Sequence, residues 1–241
     1  MSEQLELGRV RSVLIRQEET IIFSLIERAQ YRVNPPVYEP GHFGAALEGQ
    51  SLAGFLLLEC ERSHAKVRRY TSPDEHPFFD SLPEPVLPAL HFAANPLRPN
   101  TINLNARIRR EYEQDIVPRI CHPGDDGQYG SAAVCDVNCL QALSKRIHYG
   151  KFVAESKYRD KPERFKRLAA AGDAEALHEA ITDRAVEAAV IERVTRKAAT
   201  YTSELRAHGG NPGPAPDVIA AIFRDWIIPL NKAVQVSYLL G

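Results

Sequence analysis

The chain is poor in the features that mark specialised protein classes. Among its 241 residues there are four cysteines, one methionine and one tryptophan. Cys60, Cys121, Cys135 and Cys139 form no CxxC pair, which argues against a disulfide scaffold. Cys135 and Cys139 stand one helical turn apart, but no His or Cys lies at zinc spacing from them. Buried, reduced thiols and no metal are the expectation. An excess of one charge is also missing: 30 Lys and Arg against 31 Asp and Glu leave a net charge of -1. That balance gives no footprint for nucleic acid or for an anionic membrane. The basic run Arg107, Arg109 and Arg110 is followed at once by Glu111, Glu113 and Asp115, the pattern of a solvated helix face. The apolar run from Leu52 to Leu58 is far too short to span a bilayer. The opening MSEQLELGRVRS has no apolar core for a secretory signal and is too acidic for a transit peptide, so a cytoplasmic protein is expected. No P-loop, GxGxxG, HExxH or Ser-His-Asp set is present, and hence no evident nucleophile.

What remains is helix. Leu7, Val10, Leu14, Ile21, Leu25 and Ile26 recur at steps of three and four, predicting one long helix over 5–31, stopped by Asn34-Pro35-Pro36. A second is predicted over 50–70. Seven prolines between Pro73 and Pro99 make the next stretch an irregular connector with one short helical turn. Helix returns over 104–120 and, after a polar loop at 122–127, over about 131–159 with Gly150 inside it. A glycine within a helix costs ~1 kcal/mol against alanine, so close approach of another backbone or a ligand is expected there. Short helices follow at 161–171 and 173–180, then long ones over 183–206 and 216–240, the last kinked at Pro229. No alternating strand pattern appears. The reading is an all-α, single-domain helical bundle covering 1–241.

Three of these helices carry polar pairs on stripes that should be apolar. Arg146 and Lys157 share a face with Leu143, Gly150 and Val153. Asp183 and Glu187 share one with Val186 and Val190, and Asn231 and Gln235 one with Val234 and Tyr238. Arg11 lies between Leu7 and Leu14 on a fourth stripe. A buried charge costs several kcal/mol unless a partner offsets it, so the pattern asks for a polar, anionic ligand. Two arginines and a lysine suit a small dicarboxylate, gripped by guanidinium forks. Lys157 can donate to an ether or carbonyl oxygen. Gln235 offers an N–H that stays neutral, and ionised Glu187 can accept from a hydroxyl. Competing assignments stay open: Glu155 as a surface partner for Arg146 or Lys157, Asp183 as a helix N-cap, and Asn231 as a partner for backbone freed at the Pro229 kink.

Several segments resemble the plant and fungal chorismate mutases. They are CLQALSKRIHYGKFVAESKYRD (139–160), LIRQEETIIFSLIERAQY (14–31), HAKVRRYTSPDEHPFF (64–79), GQYGSAAVCD (127–136) and DWIIPLNKAVQVSYLL (225–240). The likeness runs in order along essentially the whole chain. It implies an all-helical homodimer with one active site per subunit, converting chorismate to prephenate by a [3,3] rearrangement without cofactor or metal. Carried over by motif, Arg11 and Arg146 would bind the substrate carboxylates, Lys157 and Gln235 would donate to the ether oxygen, and Glu187 would take the ring hydroxyl. Asn231 would sit beside a carboxylate where the family usually has Thr or Ser. Asp183 stands where yeast-type enzymes have Asn, and Gln235 where they have Glu.

The resemblance also implies an effector site at the dimer interface for tryptophan or tyrosine, within regulatory elements near 51–79 and 122–136. Its matching positions are Arg68, Arg69, Gly130 and Ser131, while Val134 and Ala215 replace threonines of the yeast-type site and switch. Two other readings remain at this stage: an inactive relative kept as a binding module, and a secreted mutase acting on a host's chorismate.

Overall fold

Residues 5–90, 95–209, 211 and 213–241 are described by the computed structural model of the chain. Its helices are α1 (Leu7–Arg28), α2 (Leu52–Lys66), α3 (Asn105–Glu111), α4 (Val117–Ile120), α5 (Tyr129–His148), α6 (Gly150–Asp160), α7 (Pro162–Ala170), α8 (Ala174–Ile181), α9 (Arg184–Ala207), α10 (Pro216–Ile222) and α11 (Ile228–Leu240). No strand occurs among the described residues. The fold class read from the periodicity is therefore the observed one. Short 3₁₀ turns at Pro35–Tyr38, Ala45–Leu47 and Arg69–Thr71 were not anticipated. The proline-rich connector holds no helical turn among its described residues.

Two of the expected helices are interrupted in the same way. The 104–120 segment contains a π-turn at Tyr112–Ile116, and the last helix contains one at Phe223–Ile227. Each lies just ahead of a proline, Pro118 and Pro229. Proline lacks an N–H and its ring crowds the carbonyl four residues back, so the preceding turn widens. The N–H of Val117 reaches Tyr112 O, and that of Ile228 reaches Phe223 O, each one residue further than an α-helix allows. At Pro229 the expected kink is thus a π-turn, which changes the face that α11 presents relative to α10.

The expected continuous 131–159 helix breaks at Tyr149 into α5 and α6. Gly150 explains the sequence at that point. A Cβ there would lie 2.7 Å from Asn231 O and 2.9 Å from its Nδ2. The close neighbour is backbone, that of α11.

Apolar packing falls into two main clusters. One gathers Ile21 and Leu25 of α1, Leu140 and Leu143 of α5, Val190 and Val194 of α9, Phe223, and Val234 of α11. The other joins Leu5, Val10 of α1, Phe152 and Val153 of α6, Ile181 of α8 and Tyr238 of α11. α1, the α5–α6 pair and α11 run through both. Where they pass from one cluster to the other, their inward positions carry polar residues instead of apolar ones.

Candidate active site

That seam is a cavity of about 280 Å³. α1 supplies Arg11, Leu14 and Glu18; α5 supplies Arg146, and α6 Val153 and Lys157. Glu187, Val190 and Arg193 come from α9, preceded by Asp183, and Ile228, Asn231, Lys232 and Gln235 come from α11. All seven sequence-predicted catalytic and substrate-binding positions therefore line one cavity. Five lining side chains are cationic and three are carboxylates, an excess of two positive charges.

The carboxylates are already engaged. Glu18 is buried and accepts from Arg193 in a two-point grip, 2.7 Å from Nη2 and 2.8 Å from Nε. Glu187 accepts from Lys232 Nζ at 3.1 Å. Asp183 caps α9, its Oδ1 accepting from Val186 N at 3.1 Å, and its other oxygen lies 3.6 Å from Arg11 Nη2. Capping and cavity lining coexist in this residue. Arg11 and Asp183 are both nearly half exposed at the mouth, so their pairing contributes less than ~1 kcal/mol.

Arg146 and Lys157 have no carboxylate partner among the described residues. Arg146 is only 4% exposed, and its Nε and Nη1 find no hydrogen-bond acceptor. Burial pulls its pKa down to about 10, with Glu18 opposing and Arg193 reinforcing the shift. Lys157 is largely sheltered, and its Nζ donates to the main-chain oxygen of Ile181. Burial, then Arg11, holds its pKa down at about 8 against the pull of Asp183 and Glu187. Glu155 pairs with neither. Its oxygens accept from Arg98, Arg159 and Tyr238 instead.

α11 adds a neutral donor chain. Asn231 Nδ2 donates to the carbonyls of Ile147 at 2.9 Å and Arg146 at 3.3 Å. These belong to the end of α5, so Asn231 serves backbone freed at the Tyr149 break rather than at Pro229. Gln235 Nε2 donates to Asn231 Oδ1 at 2.9 Å, and Gln235 Oε1 is buried without a partner.

Sequence reasoning missed Glu18, Arg193 and Lys232. Glu18 extends the stripe of Leu7, Arg11 and Leu14, and Arg193 the stripe of Val186 and Val190, by one further helical step each. The signal was there, but the stripes were followed too short a distance.

The four effector positions are not gathered within one chain. Arg69 donates to Glu75 Oε2 at 3.1 Å and Gln141 Oε1 at 2.8 Å, near the middle of α5. Gly130 and Ser131 lie in the first turn of that helix, roughly 15 Å away at ~1.5 Å per residue. Arg68 has a left-handed backbone (φ 69°), donates to Pro88 O, and keeps a buried Nε without a partner.

The cavity's surplus of positive charge suits an anionic ligand, and comparison with known proteins identifies the family. The model for chorismate mutase type II matches residues 128–236. The chorismate mutase of Schizosaccharomyces pombe is 47% identical over 247 residues, spanning 100% of this chain and 98% of its own. The chain belongs to the chorismate mutase family. The structure of AtCM1 with tyrosine bound in its allosteric site is 46% identical and superposes with a TM-score of 0.90, covering 99% of this chain and 97% of that one. A Candida albicans chorismate mutase in complex with L-tryptophan gives 40% identity and a TM-score of 0.91, over 98% and 91% of the two chains. The enzyme thus has chorismate mutase activity, converting chorismate to prephenate. No helix among the described residues is long and apolar enough to cross a membrane.

Proposed function

We propose that the rearrangement takes place in the cavity between α1, α5, α6, α9 and α11, with Arg146 and Lys157 as its electrostatic centre. The observation that carries this reading is the buried Arg146 guanidinium with two nitrogens lacking acceptors. A fixed cation in that state interacts strongly with any carboxylate that reaches it. Arg11 at the mouth takes the second carboxylate, which compacts the substrate toward the chair-like geometry in which its two ends react. Bond breaking builds negative charge on the ether oxygen. Lys157 and the amide N–H of Gln235 donate to it there, and a preorganised donor of this kind is worth ~3–4 kcal/mol of barrier. Glu187, held by Lys232, accepts from the ring hydroxyl, and Asp183 orients Arg11. The step needs neither nucleophile nor proton transfer.

The active unit is a homodimer in the cytoplasm, regulated by an aromatic amino acid bound between protomers. Support for the effector comes from the tyrosine and L-tryptophan complexes of the two relatives and from Arg68, whose unpartnered Nε suits a carboxylate. Gly130 and Ser131 of one protomer would face Arg68 and Arg69 of its partner. Four free cysteines fit a reducing compartment.

The test is loss of chorismate absorbance with the purified protein, with and without tryptophan and tyrosine. Lys157→Ala should turn over at least ~100-fold more slowly with an unchanged helical spectrum. Near-normal turnover in that variant would remove Lys157 from the mechanism. Rates that ignore both amino acids would remove the effector reading.

A further inference from the structure

Position 231 holds an amide, and its two ends are committed to different tasks. A main-chain carbonyl only accepts hydrogen bonds, so the group facing Ile147 O and Arg146 O must be the Asn231 nitrogen. Those carbonyls lie in the last turn of α5, where a helix leaves its final C=O groups without intrahelical donors. The break at Tyr149 thereby fixes which way the Asn231 amide is turned. With its nitrogen spent on backbone, Asn231 has only Oδ1 to present to the cavity side of α11. An oxygen there admits only a donor from the neighbouring side chain. Gln235, one helical turn on, must therefore point its nitrogen at Asn231, and it does so at 2.9 Å. One N–H of Gln235 is consumed by this bond. The nitrogen stays in place, and its second N–H remains to be given away.

We propose that Asn231 is a positioning residue: it locks the Gln235 amide so that an N–H, and not Oε1, is offered to the breaking ether bond. Without the lock the amide can rotate half a turn and present its oxygen, which repels the charge building on the ether oxygen. Gly150 is part of the device, because any side chain there would strike Asn231 O and Nδ2. Asn231 acts on the reaction through Gln235 and makes no bond of its own to a substrate carboxylate. The inference rests on the reading of Gln235 as a donor to the ether oxygen.

A double-mutant cycle tests it. Asn231→Ala should lower kcat about tenfold and leave KM within about twofold, the signature of an interaction made in the transition state. Adding Asn231→Ala to Gln235→Ala should change kcat by less than about twofold further, because the residue through which it acts is gone. Losses that multiply, or a KM effect with kcat unchanged, would overturn the proposal. If Asn231→Ala does not fold, Asn231→Ser takes its place: its single hydroxyl sits one bond short of both amide ends and cannot bridge the α5 carbonyls to Gln235. A second readout separates this inference from the catalytic role of Gln235. In the wild type one Gln235 side-chain N–H proton should exchange slowly in the 15N–1H spectrum, and that protection should vanish in the position-231 variant. Equal exchange in both proteins overturns the lock. Normal turnover of Gln235→Ala with the protection intact leaves the lock standing and removes only its use in catalysis.

Discussion

Two arginines are buried among the described residues of this enzyme, and they are treated in opposite ways. Arg28, at the end of α1, is fully buried and bonded on all sides. Its Nε donates to Asp136 at 2.7 Å, and its terminal nitrogens reach Arg32 O, Val33 O, Tyr38 and Cys121. Burial alone would lower its pKa, but Asp136 and the surrounding tyrosines and cysteine more than reverse that. Arg146 is nearly as buried, yet two of its nitrogens have no acceptor and its pKa falls to about 10. Arg28 is a finished structural joint. Arg146 is held at a cost in folding stability, and under the proposed mechanism a substrate carboxylate offsets it. Burial of a cation says little by itself; the state of its hydrogen bonds separates a strut from a binding group.

The comparison can be broken most severely at Arg28. Arg28→Ala leaves the Asp136 carboxylate buried with only Tyr38 and Tyr112 as partners, and a severed buried ion pair of this kind costs about 3–5 kcal/mol. Urea unfolding should show that loss, with turnover per folded molecule nearly unchanged. Arg146→Met should do the reverse. Removing an unpartnered cation leaves the unfolding midpoint equal or raised, while turnover of chorismate falls by ~10²–10³. A large drop in the midpoint for Arg146→Met would make the two arginines alike and undo the distinction.

A smaller effect sharpens the same point through pH. Lys157 shares the sheltered setting of Arg146, and burial with Arg11 brings its pKa to about 8. The amine is charged below that value and neutral above it, so kcat/KM should be flat through neutrality and fall as pH rises past about 8. A bound dianion favours the charged form, so the fall in kcat should come at higher pH than the fall in kcat/KM. Gln235 does not titrate, and no acidic optimum should appear. Activity that vanishes by pH 7 would contradict this account.

Much of the site was legible along the chain because helical periodicity turns position into direction. Arg146 and Lys157, or Asn231 and Gln235, announce a polar seam by standing where apolar residues belong. Gly150 signalled a close neighbour, and α11 is that neighbour. Proline effects were only partly legible. Pro229 forecast a kink, and 104–120 was expected to be helix despite Pro118; the chain accommodates each proline with a widened turn. The pairings were not legible. Nothing in the sequence joins Glu18 to Arg193 or Glu187 to Lys232, since these partners are 175 and 45 residues apart.

By itself the sequence determined the all-helical class, the order of the helices and which of their faces are polar, because these follow from local geometry that repeats every few residues. The tertiary structure decided which charges neutralise one another. Ion pairing depends on ångström distances between helices remote in sequence, and those distances leave Arg146 Nε and Nη1 without an acceptor among the described residues and turn the Gln235 amide toward Asn231.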